Sequence, residues 1–254
     1  MIKLISIFML ITSVAMSQNG MGFFNMMIGN AGGDYNFTAN LIAYYPLNGT
    51  AYDEISETAG IWRVNVVQTN DAVLGTAASV GESASEHWVT TVDTTLINGL
   101  SNITIACWVK LRSYTLTGGL LVLRSSTAYN VFIQQGNSAG LFRSQFNISD
   151  ATPSKFSITD SGTNAIPLNV WTHVAVVSAT TDKRRDSLYI DGEMVGFTET
   201  ATTKPFQQNN KFAIGYDILS PLRASDGIFD EVRFYDIAQS TAWVKALYDR
   251  DNPN

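Results

Sequence analysis

The chain has 254 residues, 45% hydrophobic, 11% aromatic and only 15% charged, a mix that excludes a disordered tail and suits one all-β domain or two small ones. Its 16 basic against 22 acidic side chains give a net charge of −6, which repels phosphate backbones and argues against a general nucleic-acid binder. A single cysteine, Cys107, excludes an internal disulfide framework, and two histidines, His87 and His173, leave little for a histidine-rich metal centre.

Met1-Ile2-Lys3 opens with one positive charge, followed by the apolar run Leu4 to Met16 and then Ser17-Gln18-Asn19-Gly20. This has the form of a secretory signal peptide, with Ala15 and Ser17 as the small residues before a cut and Gln18 as the new N-terminus. Residues 1–17 are therefore expected to be a signal peptide or an apolar anchor. At about 13 residues the apolar run is short for a membrane span. Residues 18–40 read as a Gly- and Met-rich arm, since six of the seven methionines fall within residues 1–27. Such an arm suits packing against an anchoring partner or a neighbouring subunit.

From residue 41 the pattern becomes that of strands. Leu41 to Leu47 is β-prone and ends in the turn dipeptide Asn48-Gly49. Ile103 to Leu111 alternates and places Ile103, Ile105, Cys107, Val109 and Leu111 on one face. Gly119 to Leu123 is an apolar run, and Asn130 to Gln134 precedes a turn at 135–138, from which Leu141 to Phe146 returns as a hairpin partner. Trp171 to Val177 and Ser187 to Gly192 give two more strands, the second ending at Asp191-Gly192. Phe212 to Tyr216 and Gly227 to Tyr235 complete the set. One helix is expected, Ser240 to Asp249, with Ser240 as N-cap and Trp243, Ala246 and Leu247 as a single apolar stripe. Many short strands and one late helix predict a two-sheet antiparallel sandwich over 41–254, without an internal linker.

Six of these pieces, in this order, resemble the laminin-G-like, concanavalin-A-like lectin/glucanase family. They are Leu41 to Gly49 with Asp53 following, Ile103 to Val109, Val170-Trp171-Thr172-His173-Val174-Ala175, and Leu188-Tyr189-Ile190-Asp191-Gly192. Phe212-Ala213-Ile214-Gly215 and the closing Gly227-Ile228-Phe229-Asp230-Glu231-Val232-Arg233-Phe234-Tyr235 follow. The resemblance implies an all-β, two-sheet antiparallel jelly roll with one short C-terminal helix. It fixes no activity, because this scaffold hosts lectins, adhesion modules and glycosidases.

Most motif residues have structural readings. Trp108 and Trp171 sit in strands and read as core, His173 as a sheet histidine, and Cys107 as a small hydrophobe. Asp53 and Asp230 stand apart. The first and last strands of such sandwiches lie together, and related proteins hold a structural Ca²⁺ near an aspartate of the closing strand, which Asp230 resembles. The resemblance thus implies Asp53 and Asp230 as metal ligands, with backbone carbonyls and water completing the shell, or else Asp230 as a backbone cap. On the closing strand, alternation places Ile228, Asp230 and Val232 on one face and Arg233 on the other. For sugars, which stack on exposed aromatics and pair with Asn, Gln and Asp, the aromatic candidates are Trp62 and Trp88 in the more polar early region.

Catalysis is not expected. Jelly-roll glycosidases need two carboxylates flanking the sugar bond, and no Glu-x-Asp-x-x-Glu signature occurs among the seven glutamates. No Gly-x-Ser-x-Gly elbow, phosphate loop or His-Glu-x-x-His helix occurs either. The expected function is a non-catalytic carbohydrate-binding or adhesion module, secreted or surface-displayed, whose partner is a glycan or glycoprotein surface. The alternatives are a virion spike, head fibre or decoration protein recognising host glycans, and a divergent glycosidase.

Overall fold

Alternating apolar residues in the sequence become two antiparallel sheets laid face to face. The computed structural model describes residues 35–253 except 64, 82–88, 91–94, 115–117, 125–128, 136–140, 148–155, 162–165, 207–210 and 218–223. The expected leader, most of the arm and Trp88 lie outside the described residues. In chain order the first strands are β1 Leu41–Tyr45, β2 Tyr52–Asp53, β3 Thr58–Ala59, β4 Ile61–Trp62, β5 Val67–Thr69, β6 Ala77–Val80 and β7 Val89–Thr90. Next come β8 Ile103–Leu111, β9 Gly119–Arg124, β10 Tyr129–Gln135, β11 Phe142–Asn147 and β12 Phe156–Asp160. The remaining elements are β13 Thr172–Thr180, β14 Arg184–Ile190, β15 Glu193–Thr200, β16 Lys211–Ile214, β17 Gly227–Tyr235 and the helix α1 Thr241–Asp251.

One sheet runs β15-β14-β13-β8-β17-β6-β5, with β1 also paired to β17; the second runs β12-β11-β10-β9-β16-β7-β4. Between them lies the main core. Ile103, Ile105, Cys107, Val109 and Leu111 all enter it, as the alternation of β8 requires, and meet Leu121, Leu123, Ile133, Phe142 and Phe212 from the facing sheet. Burial pushes the Cys107 thiol up to about 12, so it packs as a small hydrophobe and not as a nucleophile.

The other face of the first sheet is covered by α1. Ser240 caps the helix by accepting from the Trp243 N–H at 3.2 Å. Trp243, Val244 and Leu247 bury against Ala106, Ala175, Val177, Tyr189 and Tyr235, each large side chain contributing about 1.5–3 kcal/mol. Tyr35 and Phe37 join this second cluster, with the Phe37 ring 5.3 Å from Trp243, so the packed unit starts at Tyr35. The Asp191-Gly192 turn has positive φ at both residues, and a Cβ on Gly192 would come within 2.7 Å of Lys245 Cδ and 3.1 Å of its Cα. Glycine there lets the β14–β15 hairpin tip tuck under the helix.

The closing strand departs from simple alternation. Asp230 pairs with Trp108 while Arg233 pairs with Ala106, so β17 holds one extra residue against β8, with Glu231 at φ 55°. This β-bulge reverses the inside–outside order. Phe229, Val232 and Phe234 all enter the core, which corrects the expectation that Val232 shares a face with Ile228 and Asp230. The bulge also divides the strand's other edge: residues 227–229 pair with β6, and residues 232–235 pair with β1.

Candidate functional site

Where β6 leaves off and β1 begins along β17, Asp230 fills the seam. It is fully buried, accepting from Val73 N–H at 2.8 Å and Leu74 N–H at 3.1 Å through Oδ2, and from Glu231 N–H at 2.9 Å through Oδ1. Burial, with Glu231 adding to it, pushes its carboxyl up to about 8 against the pull of these three donors. Val73 and Leu74 belong to the β5–β6 loop, so Asp230 pins that loop down as a strap.

Asp53 is buried in a separate nest. Its Oδ1 accepts from Tyr44 N–H at 2.9 Å and Ile55 N–H at 3.0 Å, and its Oδ2 from the Ser56 hydroxyl at 2.6 Å. Strands β1 and β17 do pair, yet the two aspartates share none of these donors. Among the described residues no three His, Cys, Asp or Glu side chains group as a metal shell. Carboxylate oxygens facing N–H and O–H donors present the wrong surroundings for a hard cation, which needs oxygen lone pairs around it. The donor set fits backbone capping, and it does not fit the Ca²⁺ site that the resemblance implied.

Trp62 lies on β4, at the edge of the second sheet, partly exposed and packed against the core, with its indole N–H donated to Val66 O at 2.9 Å. Trp88 lies outside the described residues. The two other strand tryptophans divide. Trp108 is fully buried, stacked 5.6 Å from Tyr248 of α1 and 5.2 Å from His173. Trp171, expected as core, is partly exposed because it stands just before β13 at the sheet's end. Its indole N–H donates to Asp71 Oδ1 at 3.1 Å, and Asp71 also accepts from Lys110 Nζ at 3.0 and 2.7 Å. Asp71 comes from the strap, Lys110 from β8 and Trp171 from the position just before β13. No local pattern announces three residues brought from such distant parts of the chain. Nearby at the same sheet end, Arg112 donates to Asp226 and, at 2.7 Å, to the Ser79 hydroxyl.

The second acidic residue of the closing motif is also committed. Glu231 accepts from the Tyr44 hydroxyl at 2.9 Å and from Arg233, and Arg233 donates to Asp251 of α1 at 2.7 Å. Burial raises the Glu231 carboxyl despite Arg233. Burial would also raise Asp251, but Arg233 and Arg250 outweigh it and hold that carboxyl low. This buried network fastens the last turn of α1 to β17.

The concanavalin A-like lectin/glucanases superfamily model, of laminin G type, matches residues 82–245. No curated protein sequence matches the chain. Among solved structures, domain 4 of AbnA, a GH43 extracellular arabinanase from Geobacillus stearothermophilus, determined in complex with arabinotriose, is similar. It is 20% identical with a TM-score of 0.63, covering 82% of this chain and 98% of that one. The binding domain of Paraclostridial Mosquitocidal Protein 1 is 14% identical with a TM-score of 0.64, over 83% of this chain and 52% of that one. The binding domain of botulinum neurotoxin DC, in complex with SialylT, is 8% identical with a TM-score of 0.61, over 85% and 52%. The chain thus spans about half the length of the toxin binding domains. Among the described residues no helix is long and apolar enough to cross a membrane. With nearly two thirds of its length matched and the two-sheet sandwich in place, the chain belongs to the concanavalin A-like lectin/glucanase superfamily.

Proposed function

We propose that this chain is a non-catalytic carbohydrate-binding or adhesion module that works outside the cell. The observation that carries this reading is its likeness to domain 4 of the arabinanase, a whole domain matched over 98% of its length and determined with arabinotriose on it. That relative is a unit of an extracellular enzyme, and the toxin relatives are binding domains, so recognition is the role its fold neighbours share. The carboxylates of the closing strand support binding over hydrolysis. Asp226 faces Arg112, Asp230 caps backbone N–H groups and Glu231 faces Arg233 and Tyr44. Each is held by internal partners, whereas a glycosidase keeps two carboxyl groups aimed at one bond.

A glycan array probed with purified chain tests the reading. Binding to a defined subset of glycans is expected, without release of reducing sugar from arabinan, xylan or laminarin. An array with no signal above background overturns it. Intact-mass analysis of native material tests the extracellular part: a chain beginning near Gln18 is expected, and one retaining Met1 counts against secretion.

A further inference from the structure

The geometry points to the corner formed by Trp171, Asp71 and Lys110 as the site where this domain holds a neutral, hydroxyl-rich saccharide, an inference that rests on the carbohydrate-binding reading above. A sugar ring has apolar C–H faces and a rim of hydroxyls, so a site for it joins an exposed aromatic to fixed polar groups. The corner has both. Trp171 is partly exposed, and its indole is fixed by the bond to Asp71, so the ring is oriented before any ligand arrives. Asp71 and Lys110 keep 43% and 22% of their side-chain surface exposed. Beyond their mutual contacts the carboxylate retains lone pairs and the ammonium retains protons, which suits one hydroxyl donating and its neighbour accepting. Val170 and Leu74, 45% and 46% exposed, add aliphatic surface on the loop before Trp171 and on the strap.

The strap supplies the rigidity that binding needs. Asp230 holds Val73 and Leu74 by their backbone N–H groups, and Asp71 is only two residues from that anchor. A site already ordered loses little conformational freedom on binding. Charge sets the ligand class: Lys110 is paired with Asp71 and Arg112 with Asp226, so among the described residues the corner offers no uncompensated cation for a carboxylate- or sulfate-bearing sugar.

Titration calorimetry with arabinotriose, xylotriose, lactose and sialyllactose tests this on the full chain and on Trp171→Ala, Asp71→Asn and Lys110→Met. At least one neutral sugar is expected to bind better than sialyllactose. Its Kd should rise about tenfold in Trp171→Ala, the size of one lost aromatic contact, and also rise in the two polar variants. Thermal melts establish folding, and the Asp71 and Lys110 variants serve if Trp171→Ala does not fold. Neutral-sugar binding unchanged in Asp71→Asn and Lys110→Met overturns the site while leaving the module reading intact. So does binding lost in Trp62→Ala but kept in Trp171→Ala, or a preference for sialyllactose over lactose. Wild-type chain that binds no sugar here or on the array removes both.

Discussion

Asp230 shows how one buried carboxylate is satisfied by donors that its neighbours in sequence do not announce. A charge flanked by apolar residues needs a partner, and the partner is a set of three backbone N–H groups from the strap and the bulge. Asp230→Asn turns one acceptor atom into a donor facing N–H, so urea unfolding should show a loss of about 1–3 kcal/mol. The wild-type melting midpoint should be the same in EDTA and in millimolar Ca²⁺; a rise with Ca²⁺ that Asp230→Asn abolishes would restore a metal role. His173 behaves differently. Both its ring nitrogens lack a hydrogen-bond partner among the described residues, and it lies against Trp108 and Tyr248 with Asp251, Arg233 and Arg250 nearby. Burial lowers its pKa to about 3, Asp251 opposing and the two arginines assisting. The unfolded chain takes up a proton below about pH 6.5 while the folded chain does not. The stability contributed by the neutral ring is therefore complete above that pH and is lost as the pH falls toward 3. His173→Phe keeps the stacking and removes the titration. Relative to the variant, wild type should lose about 2 kcal/mol between pH 6.5 and pH 5 in urea unfolding, and an equal response in both proteins would refute the assignment.

Among the elements, legibility follows the extent of burial. β8 and β17 were bounded by their apolar patterns alone, and α1 by its Ser240 cap, because each buries a continuous stripe. β15 was missed: Glu193–Thr200 is an edge strand with no fully buried residue, so nothing forces an alternating pattern on it. The bulge in β17 was equally hidden, since an extra residue at Glu231 leaves no apolar signature and only the register with β8 reveals it. That bulge aims Glu231 at Arg233 and Tyr44, and Arg233 carries the tie onward to Asp251. Arg233→Met leaves the buried Glu231 without its cation and Asp251 with Arg250 alone, and a loss of about 3–5 kcal/mol is expected from denaturant unfolding. A change below about 1 kcal/mol would mean that the network contributes little to docking the helix.

At the scale of the whole molecule, the sandwich could be read from sequence because its pattern repeats in every central strand. The Trp171 corner could not, since Asp71, Lys110 and Trp171 meet only after three elements have folded. The same long-range construction makes α1 part of the body. The helix covers Ala106, Ala175, Val177, Tyr189 and Tyr235 on the outer face of the first sheet, and Tyr35 and Phe37 close over its side. A chain ending at Ala238 would expose that apolar face and leave Glu231 and Arg233 without Asp251. An uncovered sheet face of this size favours association over solubility, so the shortened chain is expected to aggregate, or to keep strand-type far-UV signal while losing its cooperative transition and binding ANS. The full chain should instead unfold in one transition, with tryptophan fluorescence and far-UV signal coincident, because the first sheet carries the main core on one face and the helix on the other. A soluble, cooperatively unfolding chain without residues 239–254 would show that the helix is an appendage and not a structural layer.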